Sequence, residues 1–230
     1  MLRKTGTQYL VPTQYVREIY SNMKEADKPP FSIMENSLVK RVVCKKNYND
    51  KEWIRIIEGD IEYVGDTQRC TMTYIKSNED DNKNENKDTL MLKVDNFEDA
   101  IHLAEKMGFT YKSYQENLRS KFTYELDDVT YLIRFDIWAQ IPQYTVVEVG
   151  LFSSGQNDLS RIVKNLEILE YAEKLDQNFT KYTEEEKEEK RIKKNSVDID
   201  KLFEILHSKK ASQFRYITFN SKVFHSFKSN

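Results

Sequence analysis

The stretch Tyr131–Gly150, YLIRFDIWAQIPQYTVVEVG, places charged side chains at every second position of segments that otherwise read as strands. In a strand, residues i and i+2 share a face and neighbours point to opposite faces. Arg134, Asp136 and Trp138 therefore project one way, and Ile133, Phe135 and Ile137 the other. After a short connection at Ile141–Pro142, Tyr144, Val146, Glu148 and Gly150 repeat the pattern. Such a chain must build a sheet with one apolar face. Its second face, bearing Arg, Asp and Glu, is either wet or lines a polar cavity.

Further strand-like runs, rich in Val, Ile, Tyr and Thr, are expected at Phe31–Met34, Leu38–Lys46, Glu52–Glu58, Gln68–Ser77 and Thr89–Val94. They resume at Phe109–Ser113, Gln115–Leu126, Val129–Trp138 and Tyr144–Phe152, with a tight hairpin at Leu126-Asp127-Asp128-Val129. Helices are expected at Pro12–Lys28, capped by Thr13, and at Asn96–Met107, capped by Asn96 and ended by Gly108. Another is expected from about Asp158 to Lys174. About eight antiparallel strands with a few helices give an α+β fold, its sheet closed or nearly closed as a barrel that can enclose one small ligand.

The chain has 230 residues, 32% of them charged and 39% apolar, enough for a single large core. No apolar run approaches the roughly 20 residues that span a bilayer, and the first residues lack a secretory signal. Cys44 and Cys70 are the only cysteines, too few for a disulfide framework. A reducing, cytoplasmic compartment is the expectation. The net charge of −2 excludes a general affinity for nucleic acid, so any anion must be held by a local cluster. Residues 1–175 read as the barrel domain and 176–230 as a charged linker with a C-terminal helix and aromatic tail. Asn78–Asp88 is too polar to pack and reads as a hairpin tip. The tail aromatics Tyr216 and Phe219, interleaved with basic residues, suit packing on the domain, a protein partner, or RNA.

The residues that stand out chemically are Arg55, Lys76, Arg119, Lys121, Arg134, Asp136 and Glu148. Arg and Lys converging from several strands would hold a phosphate chain, Arg by bidentate contacts and Lys as a point charge. Carboxylates opposite them would suit Mg²⁺ or Mn²⁺, which prefer oxygen ligands. His102, His207 and His225 have no Cys or His at metal spacing, and the chain has no Walker loop and no glycine-rich dinucleotide fingerprint.

Asp136, Trp138, Ile141, Pro142, Tyr144 and Glu148 resemble the later strands of the CYTH, or triphosphate tunnel, superfamily: an Asp-x-Trp segment, an Ile-Pro-x-Tyr turn and a Glu-bearing strand. Arg55 resembles one member of that family's Arg-x-Arg strand, and Lys76 its tunnel lysine. Arg119 and Lys121 resemble its Lys/Arg-rich strand, and Glu148 one of its paired glutamates. The resemblance implies a triphosphate ligand (nucleotide, thiamine triphosphate, tripolyphosphate or an RNA 5′ end). Arg55, Lys76, Arg119, Lys121 and Arg134 would hold it, with Mg²⁺ or Mn²⁺ on Glu148 and Asp136 for hydrolysis.

The chain departs from the family at its N-terminus. The Glu-x-Glu-x-Lys signature would fall within Lys4–Tyr9, where Lys4, Gly6 and Gln8 take the three positions. Glu186, Glu188 and Lys190 match the spacing but lie in a charge run with no apolar alternates. A tunnel that captures a nucleotide or a protein partner without turnover is the alternative.

Overall fold

The structure, a computed structural model, describes residues 6–25, 28–46, 49–61, 70–78, 86–151, 159–173, 207 and 216–219. The expected linker, Glu186, Glu188 and Lys190, and most of the tail lie outside the described residues. Among the described residues the fold is α+β, with nine strands and four α-helices. In hydrogen-bonding order the strands run β1-β8-β7-β6-β2-β3-β4-β5, with β9 beside β6, and hydrogen bonds do not close the sheet. No described helix is long and apolar enough to cross a membrane. The chain divides into two compact units, Met1–Asn36 with Leu118–Gln213, and Ser37–Asn117 with Phe214–Asn230.

In the first unit, β1 (Gly6–Pro12), the second half of β6 (Phe109–Leu126), β7 (Val129–Trp138) and β8 (Tyr144–Leu151) form an antiparallel run. Their odd-numbered side chains make the core: Tyr9 and Val11, Tyr131, Ile133 and Phe135, and Val147 and Val149. Phe122 and Tyr124 of β6 join them, under Ile19 and Met23 of α1 (Val16–Lys24) and Ile162 and Val163 of α3 (Leu159–Asn165). Ile168 and Tyr171 of α4 (Ile168–Glu173) complete the cover. Fully burying each such aliphatic side chain contributes about 1.5–3 kcal/mol. With this face sealed by helices, the opposite face of β1, β8 and β7 is left to the polar residues.

The turn between β6 and β7 fixes their register. Asp127 and Asp128 both have positive φ, 50° and 63°, the condition for a two-residue type I′ hairpin, whose twist matches that of the flanking strands. A two-residue turn sets Leu126 opposite Val129. Carried along the ladder, it sets Arg119 opposite Asp136 and Lys121 opposite Arg134.

Two expected helices differ. Pro12–Lys28 is not one helix: residues up to Pro12 pair with β8, Thr13–Tyr15 form one 3₁₀ turn, and α1 starts at Val16. Thr13 caps nothing; its hydroxyl donates to the Pro142 carbonyl at 2.8 Å and lies 3.0 Å from the Thr145 hydroxyl. The pairing with β8 outcompetes the helix there. Asp158–Lys174 is broken into α3 and α4, with Glu167 at φ 54° between them. The Tyr171 hydroxyl holds the Glu167 carboxylate at 3.0 Å.

The second unit contains β3 (Asn49–Glu58), β4 (Cys70–Asn78), β5 (Asn86–Val94) and most of β2 (Phe31–Lys46). Even-numbered Val42, Cys44, Ile54, Ile56, Cys70 and Met72 bury against Phe97, Ala100, Ile101 and Ala104 of α2 (Phe97–Lys106). The Asn96 side chain accepts from the Glu98 and Asp99 amides at 2.8 and 3.2 Å, as its place in the sequence implies. Gly108, at φ 83°, ends the helix. The runs expected as separate at Phe31–Met34 and Leu38–Lys46 are one strand, as are those at Phe109–Ser113 and Gln115–Leu126. At the end of the chain, β9 (Tyr216–Ile217) lies parallel to Tyr114–Gln115. Glu116, 1% exposed, accepts from the Tyr114 hydroxyl at 2.7 Å, the Thr218 hydroxyl at 2.5 Å and the Phe219 amide at 2.9 Å.

Candidate functional site

On the polar face of the first unit, cross-strand register assembles the charged residues. Gln8, Glu148 and Arg134 lie in one row across β1, β8 and β7, and Leu10, Val146 and Asp136 in the next. Arg119 and Lys121 on β6 extend these rows. Arg119 grips Asp136 with two bonds, Nε to Oδ1 at 2.6 Å and a terminal nitrogen to Oδ2 at 2.9 Å. Both residues are almost wholly buried, Arg119 at 2% and Asp136 at 3% exposed. Arg134 Nε lies 3.0 Å from Asp136 Oδ2, and a terminal nitrogen of Arg134 donates to Glu148 Oε2. Gln8 Nε2 donates to that same Glu148 oxygen at 2.7 Å. The result is a ladder: Arg119, Asp136, Arg134, Glu148, Gln8. Lys121 is buried beside it.

This ladder brings together four of the residues singled out from the sequence, Arg119, Arg134, Asp136 and Glu148, with a fifth, Lys121, buried on the same strand as Arg119. It adds Gln8, through its hydrogen bond to Glu148. It also alters the expected chemistry. The two arginines read as phosphate ligands already hold the two carboxylates read as metal ligands. Pairing of this kind makes burial of the charges tolerable, since an isolated buried charge costs several kcal/mol.

A divalent ion takes about six or more oxygen ligands, including carboxylates not spent on other cations. Asp136 is chelated by one guanidinium and touched by a second, while Glu148 is shared by a guanidinium and an amide. Among the described residues no group of three or more His, Cys, Asp or Glu could hold a metal ion. The donor set of this face therefore does not fit resident Mg²⁺ or Mn²⁺.

The second unit carries a different polar face. Register aligns three rows of four residues across β2–β5: Arg41, Ile57, Thr71 and Lys93; Val43, Arg55, Thr73 and Met91; Lys45, Trp53, Ile75 and Thr89. Four of these positions are cationic and none is acidic. All four cations, Arg41, Lys45, Arg55 and Lys93, have interaction partners in the structure. Arg55 thus lies in a basic patch. Lys76 does not share it. Exposed Lys76 stands between Glu52 and Asp88 in register, on the face of Ile54 and Met72 that α2 covers. Its even position in β4 puts it opposite in sense to Arg55, so these two of the candidate phosphate-binding residues lie on opposite faces of the sheet.

Sequence reasoning missed Arg41, Lys45, Lys93 and the engagement of Gln8. Arg41 and Lys45 were visible as an i, i+4 pair on one side of RVVCK. Their company with Arg55 is a matter of register. His102 is an exposed surface residue, its Nδ1 3.3 Å from Glu105. Cys44 and Cys70 are free and buried, and burial pushes their thiols up to about 12 and about 11. Neither is a nucleophile at neutral pH.

No family model matches the sequence, and no curated protein does. Several solved structures are similar in fold. The PH1012 protein of Pyrococcus horikoshii is 15% identical over 75% of this chain and 100% of its own, with a TM-score of 0.44. A candidate adenylate cyclase from Vibrio parahaemolyticus is 11% identical over 73% of this chain and 87% of its own, with a TM-score of 0.47. The capping-enzyme triphosphatase of mimivirus is 10% identical over 73% of this chain and 90% of its own, with a TM-score of 0.36.

Proposed function

We propose that this protein binds a molecule bearing a triphosphate: a nucleotide, thiamine triphosphate, tripolyphosphate or an RNA 5′ end. The observation that carries the reading is the basic patch of the second unit. Arg41, Lys45, Arg55 and Lys93 share one face of four neighbouring strands with no acidic residue in the aligned rows. Guanidinium and ammonium groups gathered this way suit a chain of phosphates, which needs several donors on rigid elements. Capture without turnover is favoured over hydrolysis, because Asp136 and Glu148 are engaged by Arg119 and Arg134. Hydrolysis assisted by Mg²⁺ or Mn²⁺ is the reading that the family resemblance supports.

Thermal unfolding with each of the four ligands tests the proposal. Ligand far above its dissociation constant should raise the midpoint. Arg55→Ala should weaken binding about tenfold or more, the cost of one charge-assisted contact. Phosphate release measured in parallel with Mg²⁺ or Mn²⁺ separates capture from turnover. No stabilisation by any ligand, in a protein shown to be folded, would sink the proposal.

A further inference from the structure

On the face of the first unit an amide nitrogen and a guanidinium donate to the one carboxylate oxygen that a metal would need as a ligand. We propose that Gln8 takes the place of a cation beside Glu148, and that this face works without a resident divalent metal. The metal half of the inference stands on this face by itself. Its consequence for ligand binding rests on the triphosphate reading above.

Gln8 and Glu148 are direct cross-strand partners, and Glu148 and Arg134 are the next pair in the same row. An ionised carboxylate only accepts hydrogen bonds, so the side-chain nitrogen of Gln8, not its oxygen, must face Glu148. The 2.7 Å contact has that sense. One oxygen, Glu148 Oε2, thus receives both the amide of Gln8 and the guanidinium of Arg134. A divalent ion approaching Glu148 meets two donors on that oxygen. It also meets the two guanidiniums that pair these carboxylates, Arg119 on Asp136 and Arg134 on Asp136 and Glu148. Coulomb repulsion opposes its entry.

The amide is the residue that decides. With Gln8→Glu, two carboxylates would face each other across β1 and β8 at hydrogen-bond distance. Like charges that close cannot both stay ionised unless a proton or a cation joins them. The substitution should therefore create an affinity for metal that the natural residue suppresses.

The test uses the full chain and MnCl₂ alone, followed by calorimetry and by the electron paramagnetic resonance signal of free Mn²⁺. The wild-type protein is expected to show no saturable binding below millimolar Mn²⁺. Gln8→Glu is expected to bind at least about tenfold more tightly than wild type, on the scale of single changes around metal sites. Saturable micromolar binding by wild type that disappears in Glu148→Gln would overturn the inference. Should Gln8→Glu fail to fold, the wild-type titration decides alone.

In a second arm, tripolyphosphate should raise the unfolding midpoint of wild type as much in excess EDTA as in untreated buffer. Loss of that shift in EDTA would also overturn the inference. A protein that ignores tripolyphosphate in both buffers refutes the triphosphate reading instead, and the Mn²⁺ titration still decides the metal question.

Discussion

Removing the charge of Asp136 probes the ladder most directly. Asp136→Asn keeps the shape of the side chain but replaces one acceptor by a donor aimed at Arg119. That guanidinium is 2% exposed, so water cannot compensate it. Breaking a buried ion pair from one side costs about 3–5 kcal/mol, because a charge is left buried without its partner. The loss is a large share of the roughly 5–15 kcal/mol that holds a domain folded. Arg119→Met should cost a similar amount by stranding Asp136, somewhat eased because Arg134 Nε remains 3.0 Å from it. Removing both partners is different. Arg119→Met with Asp136→Val exchanges the pair for apolar volume and should cost no more than about 1–2 kcal/mol. The coupling between the two sites would then be of the order of several kcal/mol. Urea unfolding measures each value, provided the slope m is unchanged. The chain has two tryptophans, so a Trp53→Phe background leaves Trp138 on β7 as the reporter of the first unit. Single substitutions that each cost less than about 1 kcal/mol, and that simply add in the double variant, would refute the claim that these charges stabilise one another.

Further outcomes follow from the backbone and the buried thiols. A Cβ on Gly59 would stand 2.3 Å from the Leu38 carbonyl oxygen, at φ 86°, so Gly59→Ala should cost at least about 1–3 kcal/mol in thermal or urea unfolding. Gly108→Ala, at φ 83° but with nothing within 4 Å, should cost only the conformational strain, about 1 kcal/mol. Asp128→Gly relieves a left-handed aspartate at φ 63° in the β6–β7 turn and should stabilise the fold by about 0.5–1 kcal/mol. The thiols of Cys44 and Cys70 are raised from 9.0 to about 12 and about 11 in the fold. The unfolded chain therefore loses these protons first, and stability should fall as pH rises above 9, by up to about 1.4 kcal/mol per unit per thiol. Alanine at either position should flatten the slope. Iodoacetamide at pH 8 should label these thiols only after unfolding.

The elements legible in the sequence were those whose signals are local. Asn96 and Gly108 bracket α2 because a cap and a left-handed exit are set by single residues. β7 spans Val129–Trp138 as its alternation implies. The failures share one cause, tertiary contact overriding a local pattern. The segment around Pro12 reads as helix until its pairing with Tyr144 is known. The α3–α4 stretch reads as continuous until Glu167 turns left-handed beneath Tyr171.

The site shows the same division more sharply. Alternation tells which residues share a face, and it grouped Arg134 with Asp136 and Arg119 with Lys121 correctly as strand faces. Whether those cations are available to an anion depends on what stands opposite each of them, and that is a property of turns. Two residues at Asp127–Asp128 carry Arg119 to Asp136; a loop one residue longer would slip the ladder and break that match. The pairing of β7 with β8 likewise brings Arg134 to Glu148, and that of β8 with β1 brings Gln8 to the same carboxylate. Register therefore turns a row of apparent phosphate ligands into a ladder of mutually neutralised pairs. Elsewhere the same rule aligns Arg41, Lys45, Arg55 and Lys93 in rows that hold no acidic residue. Counting charged residues along the sequence gives both faces the same promise. Only the second has its cations set in aligned rows that contain no acidic residue, which is why the proposed anion binding is assigned there and the suppression of metal is assigned to Gln8.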